Sequence, residues 1–460
     1  IAAGSPVSIV WPELEGDGGD DDSGGQYRWG TSFSLISAHI AQAISTGIAG
    51  GEGADTLTNE GAVSAVSTAI ADSITADVRV HGMSTTVNTT KAITDAMAVH
   101  MGDGNDSVTN EATGTLSAVA SSVAVAQSIV ISQGISSTGD AFFRGPHFRW
   151  SWDGQASGEA TATGIDTGFG DDNVENFGSI SAVATSVTET GSSSISATGS
   201  VYMDSTSKAK STATAIDTGN GDDTILNTGE ISAVSTATAG TLKFAFSDKG
   251  SAQVATDFWQ KKLIHVGGAY SEAEAVGISA DGTEGTSNTE TNLENGSHEM
   301  TATARYEKLG ATGDDTITNE NKITAVATSV SGAGAVGISM EGAASSEAIS
   351  KATSYAKAVD AGGGNDVVTN SGSLHAISTA TALSAGFSFS ESKGGSAAAD
   401  TAAEAEAIGI SADGIPSSSV IETAVRFDNN DFDASFRYEK IAATGDDNIR
   451  GLIVLSSLLI

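Results

Sequence analysis

Close pairs of acidic and amide residues recur in glycine-rich segments of this chain, and their oxygens are of the type that binds metal ions. The consensus is Gly-x-Gly-(Asp/Asn)-Asp, with an aliphatic residue two positions later. Calcium takes about six to eight oxygen ligands, so we expect these segments to bind Ca²⁺. The candidate ligands are Asp55, Asp103, Asn105, Asp106, Asp171, Asp172, Asp222, Asp223, Asp314, Asp315, Asn365, Asp366, Asp446 and Asp447. Three acids on the preceding segments, Asp166, Asp217 and Asp360, are candidates for a further ligand.

The alternative is that these segments are polar turns without a bound ion, because Asp, Asn and Gly favour turns in any case. For the acidic segment Gly16–Asp22 (GDGGDDD) we expect a solvated loop and not a metal site.

The spacing of the seven copies identifies a structural repeat. The second acids are separated by 51 residues in three cases (106−55, 223−172 and 366−315), and the other three gaps are longer and contain insertions. A longer segment is also repeated, which we call the longer echo. Its two parts recur at the same separation in sequence (404−272 equals 437−305). In it Glu272–Gly282 (EAEAVGISADG) returns as Glu404–Gly414 (EAEAIGISADG), and the RYEK at Arg305 returns at Arg437. Repeats of this kind indicate units that pack only on their neighbours.

The segments around each copy alternate β-branched and small residues, which predicts strands. An Asn follows the second acid by four positions in six copies and predicts a second corner. In stacked units these Asn side chains should form a ladder. We therefore predict an all-β parallel β-solenoid with coils of about 51 residues and insertions. Whether one coil contains two long strands or two short turns stays open.

The domain boundaries follow from the repeat. Residues 1–45 are expected to form an N-terminal cap and acidic loop, and residues 46–450 the solenoid. Insertions with aromatic and basic residues lie near 141–152 and 243–270, as contact surfaces for a subunit or glycan or as loops folded over the rod. The apolar segment 451–460 is expected to cap the rod or to pair with the next subunit, unless the chain continues beyond Ile460.

Charge and composition limit the partners. The formal net charge is −36, so nucleic acids and anionic membranes are not expected partners, and cations must reduce the self-repulsion. The chain has no cysteine, which excludes disulfides and thiolate metal sites. It also lacks any apolar run of the roughly 18 residues that a membrane-spanning helix needs, so none is expected.

The glycine-rich motif resembles the calcium-binding nonapeptide of RTX proteins, Gly-Gly-x-Gly-x-Asp-x-aliphatic-x. The matching residues include Gly362, Gly363, Asp366 and Val368. The resemblance implies a parallel β-roll with calcium held by Asp carboxylates and backbone carbonyls. The copies are not in tandem as in that family, so a site requires that stacked coils bring the turns together or that one turn supplies enough oxygens. The pattern also resembles the long β-helical repeats of secreted bacterial adhesins.

These observations predict an extracellular, calcium-stabilised structural protein that assembles head to tail into a surface filament or matrix fibre. One alternative is an adhesin that binds a glycan or a host surface. A second is a polysaccharide-acting β-helix enzyme, although the sequence has no nucleophile elbow, zinc-protease motif or phosphate-binding loop. Acid pairs in every repeat suit a structural role better than one active site, so we do not expect an enzyme.

Overall fold

The computed structural model describes residues 2–4, 7–9, 33–79, 84–132, 136–138, 155–254, 268–280, 287–295, 299–308, 313–412, 418–428, 431–441 and 448–451. These residues form β-strands in three parallel sheets and one antiparallel sheet. The described residues contain no helix, and therefore none suited to crossing a membrane. The predicted all-β class with stacked parallel strands is confirmed, and the arrangement is compatible with a β-solenoid.

Two parallel sheets contain the long strands. Sheet A comprises β1 (Ala2–Gly4), β2 (Val7–Ile9), β5 (Ala62–Arg79), β8 (Thr115–Ser132), β12 (Ser179–Ser196), β16 (Glu230–Ser247), β22 (Lys322–Ser339) and β25 (Ser373–Ser390). Sheet B comprises β3 (Phe33–Ala49), β6 (Ser84–His100), β9 (Ser136–Thr138), β10 (Gln155–Asp166), β13 (Val201–Met203), β14 (Thr206–Asp217), β17 (Ala252–Val254), β18 (Ala269–Ser279), β23 (Ala344–Asp360) and β26 (Gly395–Ser411).

Sheet C contains only short strands and joins the other two along the chain. It comprises β4 (Thr56–Asn59), β7 (Ser107–Asn110), β11 (Asn173–Asn176), β15 (Thr224–Asn227), β21 (Thr316–Asn319), β24 (Val367–Asn370) and β29 (Asn448–Gly451). The chain passes from sheet B through an acidic turn to sheet C, and then through an Asn corner to sheet A. We call one such passage a layer. Successive layers pair in register, so that Val183 lies beside Val119 on one side and beside Val234 on the other.

Alanine and hydroxyl side chains fill the space between sheets A and B. Buried alanines alternate with outward residues along each strand, which gives the period of two seen in the sequence. Serine hydroxyls bridge the two sheets, with oxygens 2.6 Å apart in the pairs Ser211–Ser235 and Ser271–Ser329. Small side chains with paired hydroxyls therefore replace the large aliphatic core of a globular protein.

The side sheet explains the longer echo in the sequence. It is antiparallel and consists of β19 (Ser287–Asn295), β20 (Glu299–Lys308), β27 (Ser418–Asp428) and β28 (Asp431–Ile441), in that order. The two copies of RYEK lie in β20 and β28. The register aligns residues of alternating charge across the four strands, namely Glu290, Arg305, Glu422 and Arg437. The echo therefore marks two equivalent hairpins that pair with each other.

The sheets include more of the chain than the domain prediction assigned to them. Most of β3 falls within residues 1–45, predicted as cap and loop, and pairs with β6. In the segment 243–270, residues up to Ser247 belong to β16, residues 252–254 form β17, and β18 begins at Ala269. The segments 16–22, 141–152 and 452–460 lie outside the described residues.

The Asn corners confirm the predicted ladder. The side-chain Nδ2 of each Asn donates to Oδ1 of the equivalent Asn in the next layer, at 2.7 to 2.8 Å. The ladder runs through Asn59, Asn110, Asn176, Asn227, Asn319 and Asn370, all buried. At the corner itself Asn59 also bonds to Gly61, with its Nδ2 donating to the carbonyl at 3.1 Å. The amides of Asn110, Asn319 and Asn370 also donate within their own corners. The ladder therefore links the layers and supports most of the corners.

Truncation of a central ladder residue should destabilise the protein more than truncation at the end. Asn227→Ala leaves the buried Asn176 amide without its inter-layer acceptor and leaves Asn319 Oδ1 with only the 3.4 Å bond from the Asn321 N–H. We expect a loss of about 2–4 kcal/mol in the free energy of unfolding. The control Asn59→Ala, which removes one inter-layer bond, should cost about half as much. Urea titrations followed by circular dichroism measure both, and equal losses would contradict the ladder.

Candidate metal centre in the acidic turns

The acidic turns lie one above another at the junction of sheets B and C. Their glycines adopt backbone angles that other residues disfavour, with φ of +79° at Gly219 and +142° at Gly221. A Cβ built on Gly221 would lie 1.8 Å from the carbonyl oxygen of Gly170 in the neighbouring layer. The glycine pattern in the sequence is therefore required by both the turn conformation and the close approach of stacked backbones.

The second acids form a buried column, which we call the inner Asp column. In each layer the backbone N–H of the inner Asp donates to Oδ1 of the inner Asp in the next layer, over 2.7 to 3.0 Å. The column comprises Asp55, Asp106, Asp172, Asp223, Asp315 and Asp366. All but Asp55 are at most 2 % exposed. The carboxylates thus fix the spacing and register of the turns.

The residues that precede them form an exposed outer column with the opposite direction of donation. The N–H of Asp222 donates to Oδ1 of Asp171 at 3.1 Å, and the N–H of Asp314 donates to Oδ1 of Asp222 at 2.9 Å. Asn365 continues the column with an N–H bond of 2.8 Å to Asp314. At its other end the N–H of Asp171 donates to Oδ1 of Asn105 at 3.2 Å. Neighbouring residues of one turn therefore bind the layers above and below.

Burial makes the inner carboxylates difficult to ionise. It raises the pKa of Asp172 to about 6, of Asp315 to about 7 and of Asp223 to about 8. Backbone N–H donors and, for Asp172 and Asp223, threonine hydroxyls oppose the shift, while neighbouring Asp residues add to it. Two unit charges about 4.8 Å apart, the usual strand spacing, repel by about 3 kcal/mol at an effective dielectric constant of about 20. The column therefore needs protons or cations.

The second carboxylate oxygens of the inner column are the atoms that could bind a cation. The Oδ2 atoms of Asp106, Asp172, Asp223 and Asp315 are buried and accept no hydrogen bond. Outer carboxylates stand next to them in sequence, but the described residues contain no group of three or more acidic or imidazole side chains arranged around one point. A bound Ca²⁺ would therefore need carbonyl and water oxygens to complete its ligands.

Most of the predicted ligands lie in the inner or the outer column, and three do not. The inner and outer columns contain all of them except Asp103, which is exposed, and Asp446 and Asp447, which lie outside the described residues. Asp103 takes part through its backbone, because its carbonyl accepts the N–H of Gly53 at 2.7 Å.

Two of the acids that precede the turns are engaged elsewhere. Asp166 Oδ2 lies 2.9 Å from Nδ1 of His100, and Asp360 forms an ion pair with Lys357. In the sequence the histidines are scattered, and only the pairing of β6 with β10 brings His100 to Asp166. These contacts make the two upstream acids part of the sheet B edge.

A buried basic side chain, that of Lys243, was also not predicted from the sequence. Lys243 is 1 % exposed on β16, with its Nζ 3.5 Å from Oδ1 of Asp204, and burial lowers its pKa against the opposing effect of Asp204. The alternation in β16 places position 243 on the inward face, since Leu242 and Phe244 face outward. That alternation was the available signal, but position 243 was included in the predicted insertion 243–270.

Comparison of the chain with protein-family models, with curated proteins and with solved structures gave no match.

Stability in calcium-free buffer should fall as pH rises. The folded pKa values of Asp172, Asp315 and Asp223 exceed the unfolded value of about 4. Their contribution is therefore fully present below about pH 4 and is lost as pH rises through 6 to 8. Urea unfolding at pH 5, 7 and 8.5 with a chelator present measures the trend. Asp223→Asn should flatten it, and a stability that increases over this range would contradict the buried column.

Proposed function

We propose that this chain is an extracellular structural protein, a calcium-stabilised β-solenoid subunit of a surface filament or matrix fibre. We also propose that sheets B, C and A form the three faces of closed coils. A coil without an insertion would contain 51 residues, because Asn176 bonds to the equivalent Asn227 of the next layer, 51 positions later. The repeated order of the sheets and the in-register pairing of strands such as β11 and β15 support this arrangement.

The inner Asp column is the observation that carries the proposal. A column of buried carboxylates with unpaired Oδ2 atoms has no evident use in a protein that remains free of cations. Bound calcium would neutralise the column and bridge adjacent layers. The inner Asp Oδ2 atoms, the outer Asp171, Asp222 and Asp314, and nearby turn carbonyls would hold it. The net charge of −36 further supports a stabilising cation.

The far end of the stack supports growth by addition of further copies. The last long strands, β25 and β26, have no described strand beyond them in sheets A and B. Most of β26 is exposed, including inward positions that are buried in earlier layers. Open strand edges bind further strands readily. Repeated contact between the last layer of one copy and the first layer of the next would produce a filament.

Calcium should raise the midpoint of thermal unfolding, because a ligand that binds only the folded state stabilises it by mass action. We expect a rise of several degrees at pH 8 between chelator and millimolar calcium. The double variant Asp172→Asn/Asp223→Asn should lose most of this rise, and should be more stable than the parent in chelator. The control Glu159→Gln removes an exposed charge on sheet B and should leave the rise intact. No shift in the parent protein would remove calcium from the account.

Electron microscopy of the purified protein tests assembly separately. With calcium present we expect long fibres of uniform width, because a head-to-tail contact would repeat identically in every copy. Discrete short rods at all protein concentrations would contradict head-to-tail assembly and favour the adhesin alternative.

A further inference from the structure

Most of the exposed large hydrophobic side chains of the described residues lie on the outward face of sheet A. The relevant area comprises positions 66–78 of β5 and the residues paired with them in the other strands. Just over half of its outward residues are Val, Ile, Leu or Phe, and the column that begins at Thr68 contains only Ser and Thr. Leu242 and Leu383 are 63 % and 70 % exposed. The register aligns one column of aliphatic side chains at the start of this area, namely Val66, Val119, Val183, Val234, Val326 and Ile377. A second apolar column at its end contains Val78, Ile131, Ile195, Phe246, Ile338 and Phe389.

The size of the face matches that of a stable interface. Thirteen residues along a strand span about 40 Å, and six strands span about 24 Å, so the area is roughly 1,000 Å². A stable dimer buries about 800 Å² on each partner, so the face is large enough for one. Its apolar share, just over half, lies at the upper end of the roughly 300–600 Å² patch that a monomeric protein exposes.

Charge on the face does not oppose self-association. Among the described outward residues of this area only Asp72 and Glu189 are charged, although the whole chain has a net charge of −36. The acidic turns lie before the Asn corners, more than a Debye length of about 8 Å from the first aliphatic column. Repulsion between the turns of two copies is therefore screened.

Sheet B provides an internal comparison, because its outward face is charged. Lys210 Nζ lies 3.5 Å from Oε1 of Glu272, and Lys91, Lys208 and Lys351 also occupy outward positions. Sheets A and B share the same alanine-rich interior. The outward face of sheet B is charged and that of sheet A is largely apolar. Packing of the shared interior does not require this difference.

We propose that two copies of this chain pack face to face through sheet A. Flat sheets pack about 10 Å apart with interdigitating side chains, and a two-fold contact needs only one self-complementary surface. The glycines Gly240, Gly332 and Gly334 form low points on the face, and a Cβ at Gly332 would meet no atom within 4 Å. Protruding Leu242 and Phe387 side chains of the second copy can fill such low points. The contact is lateral and depends on neither calcium nor end-to-end growth.

Sedimentation velocity over a range of concentrations tests the proposal. In calcium-free buffer the parent protein should contain a discrete dimer, and Leu242→Glu/Leu383→Glu should raise its dissociation constant at least about a hundredfold, because buried unpaired charges are costly. The control Ser157→Glu/Ala402→Glu adds the same charge on sheet B beside Lys91, Lys208 and Lys351 and should dimerise like the parent. A parent protein that stays monomeric, or a sheet A variant that still dimerises, would overturn the proposal.

Thiol labelling distinguishes a second copy from a covering segment of the same chain. The chain contains no cysteine, so Leu242→Cys reports on one site. Its reaction with a maleimide should be slow at concentrations that favour the dimer and should become fast on dilution. Protection that does not change with concentration would mean that the chain covers its own face, and would also overturn the proposal. Loss of fibres or of the calcium effect would leave these results unchanged.

Discussion

The hydrogen bond from each inner Asp backbone to the carboxylate of the next layer is the contact on which the rest of the structure depends. It joins residues 51, 66 or 92 positions apart in sequence, and it sets the register of the turn before sheet C begins. The Asn ladder repeats the same connection one short strand later. With both ends of sheet C fixed, the long strands of sheet A continue in register. The outer column, which donates in the opposite direction, resists slippage the other way.

The same contact creates the electrostatic problem that gives the protein its proposed calcium dependence. Oxygens that accept backbone N–H groups must be buried near one another, and burial raises the pKa of carboxyls such as Asp223. Protons or calcium ions can relieve the repulsion, and the two compete for the same oxygens. Acidic charge is thereby concentrated along the junction of sheets B and C. Sheet B has paired charges and the outward face of sheet A is nearly uncharged, so each face is suited to a different contact.

Much of this arrangement could be predicted from the sequence because the repeat is regular. The period of two predicts strands, the Asn at a fixed distance from each acid predicts the ladder, and the glycines predict the turns. The inner and outer roles of Asp222 and Asp223 were not evident, since adjacent acids look equivalent until burial separates them. Lys243 was included in the predicted insertion 243–270, although the alternation of β16 continues through it. The paired hairpins were missed because only the short run RYEK is identical between β20 and β28.

Carboxyl ¹³C NMR of protein labelled at aspartate tests the inner column most directly. In calcium-free buffer we expect a small set of carboxyl signals that titrate between about pH 6 and 8, one of which disappears in Asp223→Asn. Calcium should abolish the high-pH titrations. If every aspartate titrated near pH 4 without calcium, the carboxylates would be solvated and the layers would not be joined through them.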